Sequence, residues 1–239
     1  MRQKITSGIP EGSQSATPFH ISRNRPAALQ VYEDLRDRIV ALDLRPGSSL
    51  SRAALADFYG VSQTPVREAF LKLEQDGLVT VFPQSKTLIA PISIHKVKST
   101  HFLRTSLELE VARNLALSLD KSKLAPAEAI LEMQRKGGLE AAAFSRIDSA
   151  FHKALFVAAG YEDLWDVVRE HSGHLDRVRC LQLPTPGKIE RVIFQHTRIM
   201  EAITASDLGA VDSHVRDHLS GSLNELDAII RNNAELFDA

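Results

Sequence analysis

Residues 50–90, LSRAALADFYGVSQTPVREAFLKLEQDGLVTVFPQSKTLIA, decide the fold of the first part of the chain. This stretch predicts two short helices joined by a turn and followed by a two-stranded hairpin. Ala56, Gly60 and Val66 follow the spacing A-x3-G-x5-V, in which a small residue lets two helices approach, a glycine takes the turn and a branched residue anchors the second helix. This order of elements predicts a winged helix-turn-helix, which is a DNA-binding fold.

The second predicted helix begins with polar residues. Ser62 is expected to cap it, which leaves Gln63, Thr64 and Pro65 in a first turn whose backbone N–H groups lack partners inside the helix. Such a helix start suits a phosphate, and its side chains would face base edges in a major groove. The predicted DNA-contacting residues are Arg36, Arg52, Gln63, Thr64, Arg67 and Lys86.

The hairpin is predicted from two β-prone runs, residues 79–82 and 87–89, which are separated by residues 83–86, PQSK. Lys86 places a cation near its tip. The alternative is a small helical domain with an exposed loop. Helix, turn, helix and hairpin occur together in the correct order, and this favours the DNA-binding interpretation.

Residues 35–79, LRDRIVALDLRPGSSLSRAALADFYGVSQTPVREAFLKLEQDGLV, resemble the winged helix-turn-helix of the GntR family of bacterial transcription regulators. The segment GVSQTPVREAF nearly reproduces that family's recognition-helix motif. Gln63 stands where the family usually has arginine, and Lys86 stands where it usually has glycine in the wing. Arginine favours bidentate contact with guanine, whereas glutamine suits adenine. The resemblance therefore implies the fold and the groove, and it predicts a changed base preference at one contact.

The length of 239 residues and the hydrophobic content of 44% allow two cores, and the character of the chain changes near residue 93. Residues 1–93 hold 11 Lys+Arg and 9 Asp+Glu, a net charge of +2, and residues 94–239 hold 18 and 21, a net charge of −3. DNA binding therefore depends on locally placed cations. We predict a polar arm over residues 1–24, the DNA-binding domain over 25–92, an all-helical second domain over 93–233 and a C-terminal tail over 234–239.

The arm carries Arg23 and Arg25 directly before the first predicted helix, and both a DNA contact and a simple polar tail remain open for it. Cys180 is the only cysteine, which excludes an intramolecular disulfide and a thiolate zinc cluster. We find no apolar run of the length that a signal peptide or a bilayer span needs. These features predict a cytoplasmic protein without a membrane partner.

From residue 94 onward the pattern is helical, without strand signals. Apolar residues recur at steps of three and four, which is typical of helices packed in a bundle. The predicted helices span residues 94–119, 123–136, 139–159, 162–182, 187–205 and 207–233. The predicted fold class is mainly α, with a winged helix-turn-helix of three helices and a small hairpin followed by an all-α bundle.

Four polar residues of the second domain fall on stripes where core residues are expected: Asp148, His152, His196 and His218. Asp148 and His152 are four apart and share one helical face. Buried carboxylate and imidazole groups are costly unless paired, and a divalent metal would satisfy all four together. From the residues alone, a metal site and separate core histidines bonded to carbonyls or carboxylates are equally favoured.

Residues 148–218 resemble the all-helical FCD domain of the FadR branch of the GntR family. Metal-binding members of that family carry Asp-x3-His on one helix and a single histidine on each of two later helices. The resemblance therefore implies that Asp148, His152, His196 and His218 bind a divalent ion, which would be zinc, nickel, manganese or iron. Tyr161 stands where the family usually has asparagine, which affects a helix junction rather than a ligand.

Arg104 and Glu108, in FLRTSLELE, resemble the R-x3-E segment of the family, whose arginine can bind an acidic ligand. A guanidinium pairs with a carboxylate in two-pronged fashion, so the expected effector is a small organic acid, with His174 and Arg177 as further candidates. The alternative for Arg104 and Glu108 is an ion pair on the helix surface. Arg179 is a possible further anchor.

The sequence as a whole predicts a homodimeric, ligand-responsive transcription regulator that binds a pseudo-palindromic double-stranded operator. A repressor is favoured over an activator. Two alternatives stay open: a DNA-binding protein whose ion is only structural, and a metal-dependent enzyme. The enzyme would need a general base beside the ion, and no inward carboxylate other than Asp148 is evident in the pattern.

Overall fold

The computed structural model describes residues 20–82 and 85–238. The chain forms two compact units, residues 1–93 together with 235–239, and residues 94–234. Most of the arm predicted over residues 1–24 lies outside the described residues. Among the described residues, no helix combines the length and the apolar character that crossing a membrane requires.

The first unit is a winged helix-turn-helix. Its helices are α1 (Ala27–Val40), α2 (Arg52–Tyr59) and α3 (Gln63–Gln75), and its strands are β1 (Ser49–Leu50), β2 (Val79–Phe82) and β3 (Lys86–Ile89). The three strands form an antiparallel sheet in the order β1-β3-β2. The sequence predicts only the β2–β3 hairpin. Strand β1 was missed because two residues are too short for a period-two pattern.

An apolar core holds this unit together, with α3 packed against α1, α2 and β2. The helical spacing of its residues explains the packing, because positions three and four apart share one face. The core includes Val31, Leu35, Ile39, Leu55, Val66, Leu73 and Leu78, all 2% exposed or less.

The turn between α2 and α3 is as the spacing predicts. Gly60 adopts φ 63°, a left-handed conformation that favours glycine, and Val61 N–H donates to the Ala56 carbonyl. Helix α3 begins at Gln63, but the side chain of Ser62 accepts no capping hydrogen bond. Ser62 therefore occupies the predicted N-cap position with extended backbone, but the capping hydrogen bond of its side chain is absent.

The C-terminal residues join the first unit. Ile92 N–H donates to the Leu236 carbonyl at 2.8 Å, and Asp238 N–H donates to the Ile92 carbonyl at 3.0 Å. Leu236, Phe237 and Ile92 are buried. The segment predicted as a tail thus completes the end of the DNA-binding unit.

The second unit is all helical. Its helices are α4 (Ile94–Leu117), α5 (Ala125–Arg135), α6 (Ala141–Ala159), α7 (Glu162–His171), α8 (Gly173–Gln182), α9 (Lys188–Thr204), α10 (Leu208–Asn224) and α11 (Leu226–Asn232). Two of the helices predicted from the sequence are each divided into two helices in the structure. The span 162–182 divides at Ser172, and the span 207–233 divides at Glu225.

Helix α4 is the central helix of this bundle and packs against α6, α7, α8, α9 and α10. Because it is surrounded, it buries polar residues as well as apolar ones, including Thr100, Arg104 and Glu108. Helices α6, α9 and α10 carry the sequence-predicted metal ligands.

Candidate DNA interface and metal centre

An open cleft of about 630 Å³ lies between the start of α2, the start of α3 and the wing. Its lining includes Arg52, Gln63, Arg67 and Lys86, and Thr64 is exposed one residue further along α3. Five of the six predicted DNA-contacting residues therefore lie on one surface. The Lys86 ammonium lies 5.6 Å from the centre of the Phe82 ring, which places the cation over the exposed end of β2.

Arg36 differs from the other five residues. It lies on the inner face of α1 and is only 5% exposed. Helical spacing explains this, because Tyr32, Leu35 and Ile39 occupy the same face and point into the core. The charge of Arg36 led to its prediction as a DNA contact, but its position in the helix buries it.

Three predicted ligands converge in the second unit. The Nε2 atom of His218 lies 3.2 Å from that of His152 and 3.3 Å from that of His196. His152 and His196 are buried and His218 is half-buried. Ring packing fixes them further, since the His196 ring stacks on Phe151 with centroids 4.1 Å apart. Three imidazole nitrogens thus meet at one point, as the sequence-derived ligand set requires.

Asp148 is the fourth predicted ligand and is 1% exposed. Its Oδ2 pairs with the Arg179 guanidinium, whereas its Oδ1 has no hydrogen-bond partner among the described residues and lies 3.6 Å from His196 Nε2. Burial alone would raise the pKa of Asp148, but the Arg179 guanidinium and the imidazoles bring it well below its usual range. The carboxylate is therefore ionised, with one oxygen available beside the histidines.

Burial lowers the pKa of His196 to about 3, against the opposing effect of Asp148, and it lowers the pKa of His218 well below 6.5. Both rings are therefore neutral near pH 7, which is the form that binds a metal ion. Three imidazole nitrogens, two of them on rings that are neutral near pH 7, and a carboxylate oxygen without a partner among the described residues are donors suited to a divalent transition ion. The residues present fit the metal that the sequence predicts.

A second carboxylate supports this centre. Arg104 Nε donates to Glu108 Oε1 at 2.6 Å, and Glu108 Oε2 lies 2.7 Å from His152 Nδ1. Burial alone would raise the pKa of Glu108, but Arg104 and His152 bring it well below its usual range. Arg104 and Glu108 are 4% and 7% exposed, so they form a buried pair and not the surface pair of the alternative interpretation.

A cavity of about 40 Å³ opens beside His218. Five basic side chains line it: His101, Arg104, Arg179, Lys188 and Arg191. Burial and the nearby Arg104 lower the pKa of His101. A second gap beside His152 and His218 is almost filled, at about 10 Å³, and is lined mainly by apolar residues such as Phe151, Leu155 and Val215. A small anion would therefore approach the histidines through the basic cavity.

The structure separates the three residues predicted to bind the effector. Arg104 lines the cavity, but His174 and Arg177 are not among the described residues that line it. These two are buried and bonded to each other, with Arg177 Nη2 3.0 Å from His174 Nδ1. Helix α8 instead turns Leu175, Arg179 and Gln182 toward the cavity, a spacing of four and three that defines one face.

Known proteins share both units. A family model for gntR-type bacterial regulatory proteins matches residues 27–89, and the FCD domain model matches residues 100–221. An uncharacterised HTH-type transcriptional regulator in an unstable DNA locus of Streptomyces ambofaciens is 33% identical over 207 residues, which cover 87% of this chain and 88% of that protein. The transcriptional repressor RspR of Escherichia coli K12 is 30% identical over 219 residues, which cover 91% and 96%.

The chain is a GntR-family transcriptional regulator with an FCD domain. This membership confirms the family and the fold class predicted from the sequence, and it identifies a regulator, not an enzyme. Two solved structures have the same fold: McbR/YncC of E. coli, with a TM-score of 0.70 and 20% identity over 86% of this chain and 98% of that one, and a putative GntR regulator of Rhodococcus sp. RHA1, with 0.71 and 20% over 84% and 98%.

Proposed function

We propose that this GntR-family regulator is a metal-containing repressor that binds a pseudo-palindromic operator as a homodimer and responds to a small organic acid. One observation carries the proposal: three Nε2 atoms and a free carboxylate oxygen converge beside a basic cavity, in a chain that also presents an exposed recognition helix. A bacterial regulator of this kind acts in the cytoplasm, where its DNA is.

The DNA-binding surface comprises Arg52, Gln63, Thr64, Arg67 and Lys86. The exposed start of α3 suits the major groove, and Arg52 and Lys86 flank it with positive charge suited to phosphates. Four of these side chains line one open cleft and Thr64 is exposed beside it, which supports this assignment, whereas Arg36 is buried and is left out of the proposed set. A dimer would present two such surfaces to an operator with two half-sites.

The ion is assigned to Nε2 of His152, His196 and His218 and to Oδ1 of Asp148. When bound, it supplies positive charge that can accept an oxygen of an acid. The donor set of imidazole and carboxylate suits zinc, nickel, manganese and iron. Arg179 pairs with Oδ2, the other oxygen of Asp148, and thereby orients the carboxylate.

The effector is assigned to the cavity beside His218, with the buried Arg104 and the half-buried Arg179 as its inner cations and Lys188 and Arg191 also in its lining. A cavity of about 40 Å³ suits a carboxylate group better than a bulky ring. An acid that binds one arrangement of the helices more tightly would change DNA affinity, and a coupling of about 1–3 kcal/mol gives a roughly 5- to 150-fold effect.

The test compares DNA affinity with the metal present and removed. An operator is first obtained by in vitro site selection, and its affinity is then measured with metal-stripped and Zn²⁺-loaded protein, with and without glycolate, malonate or citrate. We expect at least one acid to change the affinity of the loaded protein about fivefold or more, and to have no effect on the stripped protein.

A pair of histidine variants controls this test. His196→Ala should lose the ion, by elemental analysis, and the response to acid. His214→Ala changes a half-buried histidine outside the cluster and should keep both. Zn²⁺ binding that is equal in the two variants would refute the assigned ligands.

A second candidate is a regulator whose ion is only structural. The small cavity favours it, and so does the pairing of both Arg104 and Arg179 with carboxylates of the protein. Calorimetry separates the two candidates, because a structural ion predicts no heat of binding for any of the three acids, whereas a sensor predicts saturable binding that needs the metal.

A further inference from the structure

Each histidine of the cluster has its second ring nitrogen within 3.3 Å of a side-chain oxygen, as a hydrogen bond at His196 and His218 and as an ion-pair contact at His152. His152 Nδ1 lies 2.7 Å from Glu108 Oε2, His196 Nδ1 lies 2.9 Å from Gln134 Oε1, and His218 Nδ1 lies 3.3 Å from Gln195 Oε1. The three oxygens come from three different helices, α4, α5 and α9. The pattern therefore repeats at every ring and does not follow from one local motif.

All three side chains are buried, and Glu108 and Gln195 are each fixed by a further bond. Glu108, Gln134 and Gln195 are 7%, 0% and 8% exposed. The other oxygen of Glu108 accepts from Arg104, so this side chain is an ionised acceptor on both sides. The amide Nε2 of Gln195 donates to Asp217 Oδ2 at 2.7 Å, and this bond turns its Oε1 toward His218.

An oxygen acceptor beside Nδ1 decides where a neutral imidazole carries its proton. The proton lies on Nδ1 and donates to the oxygen, which leaves a lone pair on Nε2. All three Nε2 atoms are the ones that converge, at 3.2 and 3.3 Å from His218. The same three contacts thus direct three lone pairs to one point, which is the arrangement that a metal ion requires.

We infer that Glu108, Gln134 and Gln195 are positioning residues that fix the Nδ1–H form of His152, His196 and His218 and so prepare the three Nε2 atoms to bind the ion. The inference rests on the proposed metal site. Gln134 provides the most direct test of the inference, because nothing in the sequence pattern indicates such a role for it and its side chain is fully buried. Glu108 adds a negative charge that the two glutamines lack.

The first measurement needs no variant. Long-range nitrogen–proton NMR of metal-stripped protein reports which ring nitrogen carries the proton. We expect Nδ1–H at all three histidines. A proton on Nε2 of any of them, for instance on His196 donating to Asp148 Oδ1, would overturn the inference. This readout is independent of metal binding, so a wild-type protein that binds no ion would refute the proposed function and leave the inference to be judged by NMR.

The second measurement is Zn²⁺ affinity by competition with a chelator. Gln134→Met removes the acceptor, and we expect about 10- to 100-fold weaker binding and a proton shift of His196 to Nε2. Gln134→Glu keeps an acceptor oxygen and should stay within about threefold of wild type. Gln30→Met is the matched control, since Gln30 is also buried, at 5% exposed, but lies in the first unit and bonds the Ser22 and Arg25 carbonyls and no histidine.

Unchanged affinity in Gln134→Met, or an equal loss in Gln134→Glu or Gln30→Met, would contradict a positioning role. Melting curves of the metal-free variants identify any that do not fold. Should Gln134→Met be one of these, Gln195→Met takes its place with His218 as the ring observed, and an unchanged Nδ1–H form there would overturn the inference.

Discussion

Arg179 shows how one side chain can serve two groups. It pairs with the buried Asp148 and also lines the basic cavity. Asp148 raises the pKa of Arg179 against the opposing effect of burial, so the guanidinium keeps its charge. Removing one member of such a pair leaves an unpaired charge in the interior, and this is costlier than removing both.

Arg179→Met should therefore destabilise the metal-free protein by about 3–5 kcal/mol. Added Zn²⁺ should recover part of this loss, because the ion offers Asp148 a new partner. Urea unfolding followed by the fluorescence of Trp165, in the second unit, measures both. Arg191→Met is the control, since Arg191 borders the same cavity but is exposed. Equal stability of the two variants would contradict the importance of the Asp148 pair.

Tyr59 is expected to make the stability of the DNA-binding unit depend on pH in the alkaline range. Its hydroxyl donates to Asp34 Oδ2 at 2.5 Å, and burial together with this carboxylate raises the pKa of Tyr59 well above 10. The unfolded chain then releases the proton at lower pH than the folded one. The contribution of the Tyr59 hydroxyl to the free energy of unfolding is therefore complete below about pH 10 and is lost as the pH rises further.

We expect the free energy of unfolding of the first unit to fall above pH 10 in the wild type and to fall less in Tyr59→Phe, which has no proton to release. Below pH 10 the variant should be less stable by about 1 kcal/mol through the lost hydrogen bond. Hydrogen exchange of α1 and α2 peptides at pH 8 and at pH 11 provides the measurement. An equal fall in the free energy of unfolding of the wild type and the variant between pH 8 and pH 11 would show that Tyr59 does not limit stability at alkaline pH.

Among single residues, the sequence predicted those whose role follows from helical spacing. His152, His196 and His218 lie on inward stripes and converge as expected. Arg36 was predicted from charge alone and is buried. Gln134 and Gln195 were missed, because a neutral amide on a helix gives no signal until a histidine from another helix lies beside it. Contacts between helices are not encoded in the periodicity of any one of them.

At the scale of elements, the break at Ser172 decides which side chains reach the cavity. A continuous helix over residues 162–182 would place His171 and His174 on one face, but α7 ends at His171 and α8 begins anew at Gly173. The His171 carbonyl instead accepts from Thr100 Oγ1 of α4. No proline marks this break, so the sequence pattern does not predict it.

Helix α3 carries the prediction about DNA sequence. Gln63 is exposed in its first turn, within the same cleft as Arg67. Gln63→Arg should shift the preferred base toward guanine at one position in each half-site, because a guanidinium bonds guanine O6 and N7 while glutamine suits adenine. In vitro site selection before and after the change measures it. Unchanged selection would show that residue 63 reads no base.

Arg67→Ala completes that test. It should weaken operator binding about tenfold or more, since one base or phosphate contact contributes about 1–3 kcal/mol. Arg198→Ala is the matched control, because it removes the same charge from an exposed arginine of the second unit. Metal content should stay at the wild-type level in both variants, and equal affinities for the operator would count against the assigned interface.

On the scale of the whole molecule, the chain leaves the first unit after Ser93 and returns to it at Glu235. The return segment pairs with Ile92 in a parallel bridge through Phe237. The sequence could not predict this pairing, because the partners lie far apart and the segment is too short for a pattern. It gives the DNA-binding unit a contribution from the last residues of the chain.

Phe237→Ala should lower the stability of the first unit by about 3 kcal/mol, because Phe237 is 9% exposed and its backbone pairs with the fully buried Ile92. Hydrogen exchange should become faster at the amides of Ile92 and Asp238, whose acceptors are the Leu236 and Ile92 carbonyls. Phe194→Ala is the matched control, since Phe194 is 64% exposed, and it should change neither stability nor exchange. The peptides that contain His196 and His218 should exchange as in the wild type. If they accelerate as much as the peptide that contains Ile92, the loss is global and the C-terminal segment does not belong to the first unit.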